Sequence, residues 1–112
     1  MKARLRELTL TSGLPLEQLL PCCSEVTVQA VLGPDPGEGD ELFEFTVRIG
    51  VTAEDMGPGG YAWTGKTLML PAFDPKKVRD AVFEVLAGME GEDWASVVSQ
   101  LREYMRWEFD AS

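Results

Sequence analysis

The sequence predicts an α+β fold: an antiparallel sheet of about four strands, two C-terminal helices packed on one of its faces, and a short C-terminal strand or tail. Three observations carry this. Residues 41–51 alternate strictly, with Phe43, Phe45, Val47, Ile49 and Val51 on one face and Glu44, Thr46 and Arg48 on the other. That period of two is the signature of a half-buried antiparallel strand. Residues 74–88 and 92–105 instead repeat their apolar side chains at helical spacing. Finally, the main strand-like segments all precede the helices, the order of an α+β domain.

The elements follow in order. Residues 3–10 alternate well enough for a first strand, with Arg4 and Arg6 on one face. Between Gly13 and Pro21, Leu14 to Leu20 has room for one short helical turn. Residues 25–32 form a stronger strand, with Val26, Val28 and Ala30 facing one way. The stretch from Gly33 to Asp40 is dense in turn formers and acids. Its prolines and glycines are expected to continue neither ladder, which makes it the tip of a hairpin between strands 25–32 and 41–51. A second open stretch, Thr52 to Gly65, holds the run Met56 to Gly60 and then Tyr61 and Trp63. Lys66 to Leu70 is a short strand stopped by Pro71. Asp74 has the chemistry of an N-cap and Pro75 occupies the favoured first helical position. Val78, Ala81, Val82 and Val85 make the apolar stripe, and Gly88 is the stop. The second helix runs from Glu92 to Met105, with Trp94, Val97, Val98, Leu101 and Met105 on one stripe and Glu92 and Asp93 at its positive end. Residues 106–110 alternate again, as a short strand or an extended tail packed on the sheet. Nothing marks a boundary or a repeat, so residues 1–112 read as one domain, which at this size buries roughly 65% of its unfolded surface.

Charge is distributed unevenly. From Glu7 to Gly65 there are ten acids and one base, Arg48, a deficit equal to the net charge of the whole chain, −9. Nine bases and nine acids balance outside that stretch. Acidity of this kind either keeps a protein soluble or steers a basic partner onto one surface. It opposes nucleic-acid binding, because phosphates are repelled. No apolar run is long enough to span a bilayer, and no apolar segment follows Met1-Lys2-Ala3-Arg4, so a cytoplasmic address is expected.

Catalytic and metal chemistry find little support. Histidine is absent, and Cys22 and Cys23 are neighbours with no evident activator. Adjacent cysteines reach disulfide geometry only with strain, and with no third or fourth histidine or cysteine ligand they argue against a zinc site. They read as small hydrophobes in a reducing compartment. Gly57, Gly59 and Gly60 are not followed by the lysine and hydroxyl residue of a phosphate loop, and Asp35, Glu38, Asp40 and Glu41 lack the alternation of a calcium loop. No catalytic, metal or cofactor residue is therefore assigned.

Several features in sequence order resemble a known family. A strand ends in Leu32-Gly33 before an acidic glycine-rich turn, and Phe43-Glu44-Phe45 lies in the next strand. Asp74-Pro75 starts one helix, Gly91-Glu92-Asp93-Trp94 opens another, and Trp107-Glu108-Phe109 lies near the C-terminus. From about residue 25 to the end, this set resembles the immunity protein 8 family of bacterial polymorphic-toxin and contact-dependent inhibition systems. The resemblance implies a single immunity-protein-like domain over 1–112. It implies a cytoplasmic, non-catalytic antitoxin that binds and neutralises a cognate toxin domain encoded beside it.

Tight toxin binding needs a few desolvated anchors inside a charged rim. The acidic candidates are Asp35, Glu38, Asp40 and Glu41 at the hairpin tip, where carboxylates can meet the basic groove of a nuclease; Glu54 and Asp55 extend the patch if their loop lies alongside. The aromatic candidates are Tyr61 and Trp63, which either anchor an interface or fold back over the core. Trp94, Trp107 and Phe109 read as core, Glu108 as structural, and Arg48 as the partner of Glu44 or of a cross-strand acid. The alternative function is an acidic effector-secretion chaperone or another small protein-binding module, with a carboxylate-based enzyme a weaker third.

Overall fold

The computed structural model describes residues 1–11, 13–18, 24–50 and 60–108. Six strands form one sheet: β1 (Lys2–Leu10), β2 (Glu25–Asp35), β3 (Glu41–Ile49), β4 (Ala62–Thr64), β5 (Thr67–Leu70) and β6 (Arg106–Trp107). A 3₁₀ turn spans Leu16–Gln18, and the helices are α1 (Pro75–Ala87) and α2 (Trp94–Leu101). The α+β class is as the sequence predicts. The sheet itself differs in two respects. It has six strands where about four and a short C-terminal strand or tail are expected, and it is mixed rather than antiparallel.

The strand order is β1-β2-β3-β5-β4, with β6 also paired to β3. Strands β1, β2 and β3 form an antiparallel meander, in which Leu10 pairs with Val28 and Val28 with Phe45. The departure comes after β3. Residues 62–64, read from sequence as open chain, form β4 and turn tightly through Gly65-Lys66 into β5. Gly65 has φ +58°, which a side-chain-bearing residue rarely adopts, and this allows the two-residue connection. The turn inserts β5 between β4 and β3, so β5 runs parallel to β3, Val47 facing Leu68 and Ile49 facing Leu70. β6 takes the remaining edge of β3, with Phe43 opposite Trp107. β5 is the short strand expected at Lys66 to Leu70 and β6 falls in the expected C-terminal strand or tail, whereas the three residues of β4 are too few for alternation to distinguish them from loop.

β2 also runs further than expected. Past Leu32 it loses β3 but keeps β1, and Gly33, Pro34 and Asp35 pair with Arg4, Ala3 and Lys2. A proline lacks only a donor, and with one neighbouring strand gone that donor is not required. β1 carries a bulge between Leu5 and Glu7, which switches the core-facing positions from Leu5 to Leu8 and Leu10.

One face of the sheet makes the core. Phe43, Phe45 and Val47 of β3, with Val28 and Ala30 of β2 and Leu68 and Leu70 of β5, lie at or below 1% exposure. Val78, Ala81, Val82 and Leu86 of α1 and Val97, Val98 and Leu101 of α2 belong to the same cluster, so both helices cover this face. Asp74 caps α1 by accepting the Lys76 N–H at 3.0 Å. Asp93 caps α2 by accepting from Ser96, and that hydrogen bond holds its carboxyl below the usual range. α2 is shorter than its periodicity predicts: it ends at Leu101, and Met105 reaches the core from the following turns. The Met1 ammonium and carbonyl bind the Gly91 carbonyl and N–H at 2.9 and 3.0 Å, tying β1 to the start of α2. No described helix is long and apolar enough to cross a membrane.

Candidate functional site

At the β2–β3 tip the acids divide into two kinds. Asp40 receives Arg6 at 2.9 Å and lies 3.9 Å from Arg4, so two bases of β1 hold the end of the loop. Glu41 accepts the Trp107 indole N–H at 2.8 Å, linking the start of β3 to β6. Both carboxylates are thereby engaged in the fold. Asp35 and Glu38 are exposed and carry no ion pair among the described residues. Glu54 and Asp55, and the cysteines Cys22 and Cys23, lie outside the described residues.

The charge imbalance along the chain is reduced in space. Bases from the balanced ends reach acids of the acidic stretch: Arg79 pairs with Glu17, and Arg106 with Glu44 at 3.0 Å. The Arg79 guanidinium holds the Glu17 carboxyl below its usual range. Arg48 pairs with Glu25 at 3.2 Å, its direct cross-strand neighbour in the ladder. These are surface pairs, each contributing about 0–1 kcal/mol.

Tyr61 and Trp63 lie on the far edge of the sheet, separated from the acidic tip by β5 and β3. Both side chains pack against the core while keeping part of their surface exposed. Trp63 is half-buried, its ring centroid 5.2 Å from Phe45 and 5.6 Å from Tyr104, nearly perpendicular to the latter at 79°. Tyr61 donates its hydroxyl to Glu84 of α1, and burial together with that bond pushes the hydroxyl up to about 12. These residues line a pocket of about 470 Å³ between β4 and the helices, completed by Glu84, Gln100, Glu103 and Tyr104. The Trp63 indole N–H is buried with no acceptor among the described residues.

Sequence reading singled out none of Glu84, Glu103 and Tyr104. They carry no local signal, since each sits off the apolar stripe of its helix or in the turn after it. A second concavity, of about 800 Å³, lies beside β6 on the face the helices leave open, with Gln29 and Leu42 in its floor and Lys66, Arg102 and Arg106 around it. Leu42 is a large apolar side chain left 39% exposed in that floor. Glu108 accepts the Leu42 N–H at 2.7 Å and so has the structural role its position predicts. Among the described residues, no cluster of three or more potential metal ligands occurs.

The domain is thus a single sheet with helices on one face, an open opposite face and an aromatic, acid-lined pocket. The match to a family model is specific: residues 4–111 fit the immunity protein 8 model, and the chain belongs to that family. The match extends past the residue 25 limit of the resemblance and takes in β1. No curated protein and no solved structure matches the chain.

Proposed function

We propose that this protein is a stoichiometric, non-catalytic antitoxin that binds a cognate bacterial toxin domain in the cytoplasm and neutralises it. The family match over residues 4–111 carries this reading. Inhibition works by exclusion: the immunity protein occupies the toxin's active cleft or an adjacent site and keeps substrate out. The toxin surface it meets is basic.

Two regions are proposed to make the contact. Asp35 and Glu38, exposed on a tip whose Asp40 pairs with Arg4 and Arg6 of β1, form the charged rim. Tyr61 and Trp63 with their pocket form the anchor, since aromatic side chains in partly desolvated pockets contribute most of the energy of protein interfaces. Asp40 and Glu41 support the rim through their internal bonds, and Glu54 and Asp55 extend it.

Co-expression with the toxin encoded beside this chain tests the proposal. Growth is expected to be rescued, and calorimetric titration is expected to give a one-to-one complex. Absence of both rescue and complex would overturn it.

A further inference from the structure

We infer that the pocket between β4 and the two helices receives an arginine side chain presented by the bound toxin. This deepens the antitoxin reading and rests on it. The chemistry of the walls argues for this occupant. Three aromatic residues, Tyr61, Trp63 and Tyr104, line the pocket together with two carboxylates, Glu84 from α1 and Glu103 from the turn after α2. Among the described residues, no lysine or arginine lines it.

Glu17, Glu25, Asp40 and Glu44 each hold a base of this chain. Glu84 and Glu103 hold none among the described residues, and they sit where aromatic rings lower the local polarity. Asp35 and Glu38 are also without a base among the described residues, but this pocket sets two such carboxylates beside aromatic rings. A cation over an indole or phenol ring is attracted by the ring's negative face, more strongly when water is displaced. Arginine suits the site better than lysine, because its flat guanidinium stacks on a ring while its edge donates two hydrogen bonds to a carboxylate. The Trp63–Tyr104 pair packs nearly perpendicular, so the two rings turn their faces in different directions around the pocket. The Tyr61 hydroxyl, bound to Glu84, fixes that carboxylate against the pocket while leaving it lone pairs to accept more. A volume of about 470 Å³ admits one long side chain, not a helix or a strand.

The test has two arms. In the first, acetyl-arginine methylamide and its uncharged citrulline isostere are titrated into the protein, and NMR follows the Trp63 indole and the Tyr104 ring. The arginine probe is expected to shift both signals and citrulline neither, with the response about tenfold weaker in the E84Q/E103Q variant. Equal responses to the two probes, or none at Trp63, would overturn the inference.

In the second arm, binding of the adjacent toxin is compared for wild type, E84Q/E103Q and the control Glu7→Gln, an exposed acid on β1. The pocket variant is expected to weaken the complex about tenfold or more, with the control unchanged. A toxin that binds the pocket variant as tightly as wild type overturns the pocket and leaves the antitoxin reading standing. A toxin that fails to bind wild type overturns the antitoxin reading and with it this occupant.

Discussion

Gly33 shows how one residue carries a constraint no periodicity encodes. A Cβ placed there would meet the Gly39 carbonyl at 2.2 Å and the Asp40 carboxylate at 2.9 Å. The backbone of the tip folds directly against β2, and only glycine leaves room. Gly33→Ala is expected to destabilise the protein by about 2–4 kcal/mol, measured by urea denaturation, and to release Asp40 from Arg4 and Arg6. Tyr61 allows a test by pH. Its hydroxyl is raised from 10.0 to about 12 by burial and then by Glu84, so the folded state holds the proton more tightly than the unfolded chain. Its stabilisation is therefore complete below pH 10 and is lost as pH rises from there toward 12. Denaturation midpoints across that window are expected to fall more steeply for wild type than for Tyr61→Phe. Among the acids at the tip, sequence placed four together. It had no means of distinguishing Asp40 and Glu41, which are bound internally, from Asp35 and Glu38, which face solvent.

The elements divide by how their information is stored. β3 and α1 were legible because their own residues state their environment: alternate Phe43, Phe45 and Val47 for a covered strand, Asp74-Pro75 and a four-residue stripe for a capped helix. Asp74→Ala removes an acceptor from the first turn of α1 and is expected to lower stability by about 1 kcal/mol, read from the thermal or urea midpoint. Phe45 is fully buried on the central strand and touches the Trp63 ring. Phe45→Ala is expected to cost about 3–5 kcal/mol and to perturb the tryptophan fluorescence, because the cavity opens beneath Trp63. β4 was not legible as a strand, and β6 was legible only as a short strand or tail with no partner named. So few residues say little of their neighbours, and their pairing is decided by β5 and β3. α2 ended early because the apolar stripe continues through Met105 while the backbone does not stay helical. The stripe reports burial, and burial is reached from a turn as readily as from a helix.

At the scale of the molecule, the net charge of −9 and its spatial arrangement are separate quantities. Association with a basic toxin is expected to slow sharply as ionic strength rises and the Debye length shrinks below about 10 Å. Dissociation is expected to change little, because buried contacts are screened less than exposed charges. Stopped-flow measurement at several salt concentrations checks both rates; a salt-independent association rate would remove electrostatic steering from the mechanism.

What the sequence by itself determined is the set of properties each segment holds alone: an α+β class, the buried face of β2 and β3, the N-cap of α1, and membership in the immunity protein 8 family. Only the tertiary structure decided which charges remain available, where β5 enters the sheet and which side chains build the aromatic pocket. The physical reason is separation along the chain. Glu17 meets Arg79 and Glu44 meets Arg106 across 62 residues, and Tyr61 meets Glu84 across 23. Local spacing reports the burial of a residue but not the distant group it will face, and the pocket is made entirely of such meetings.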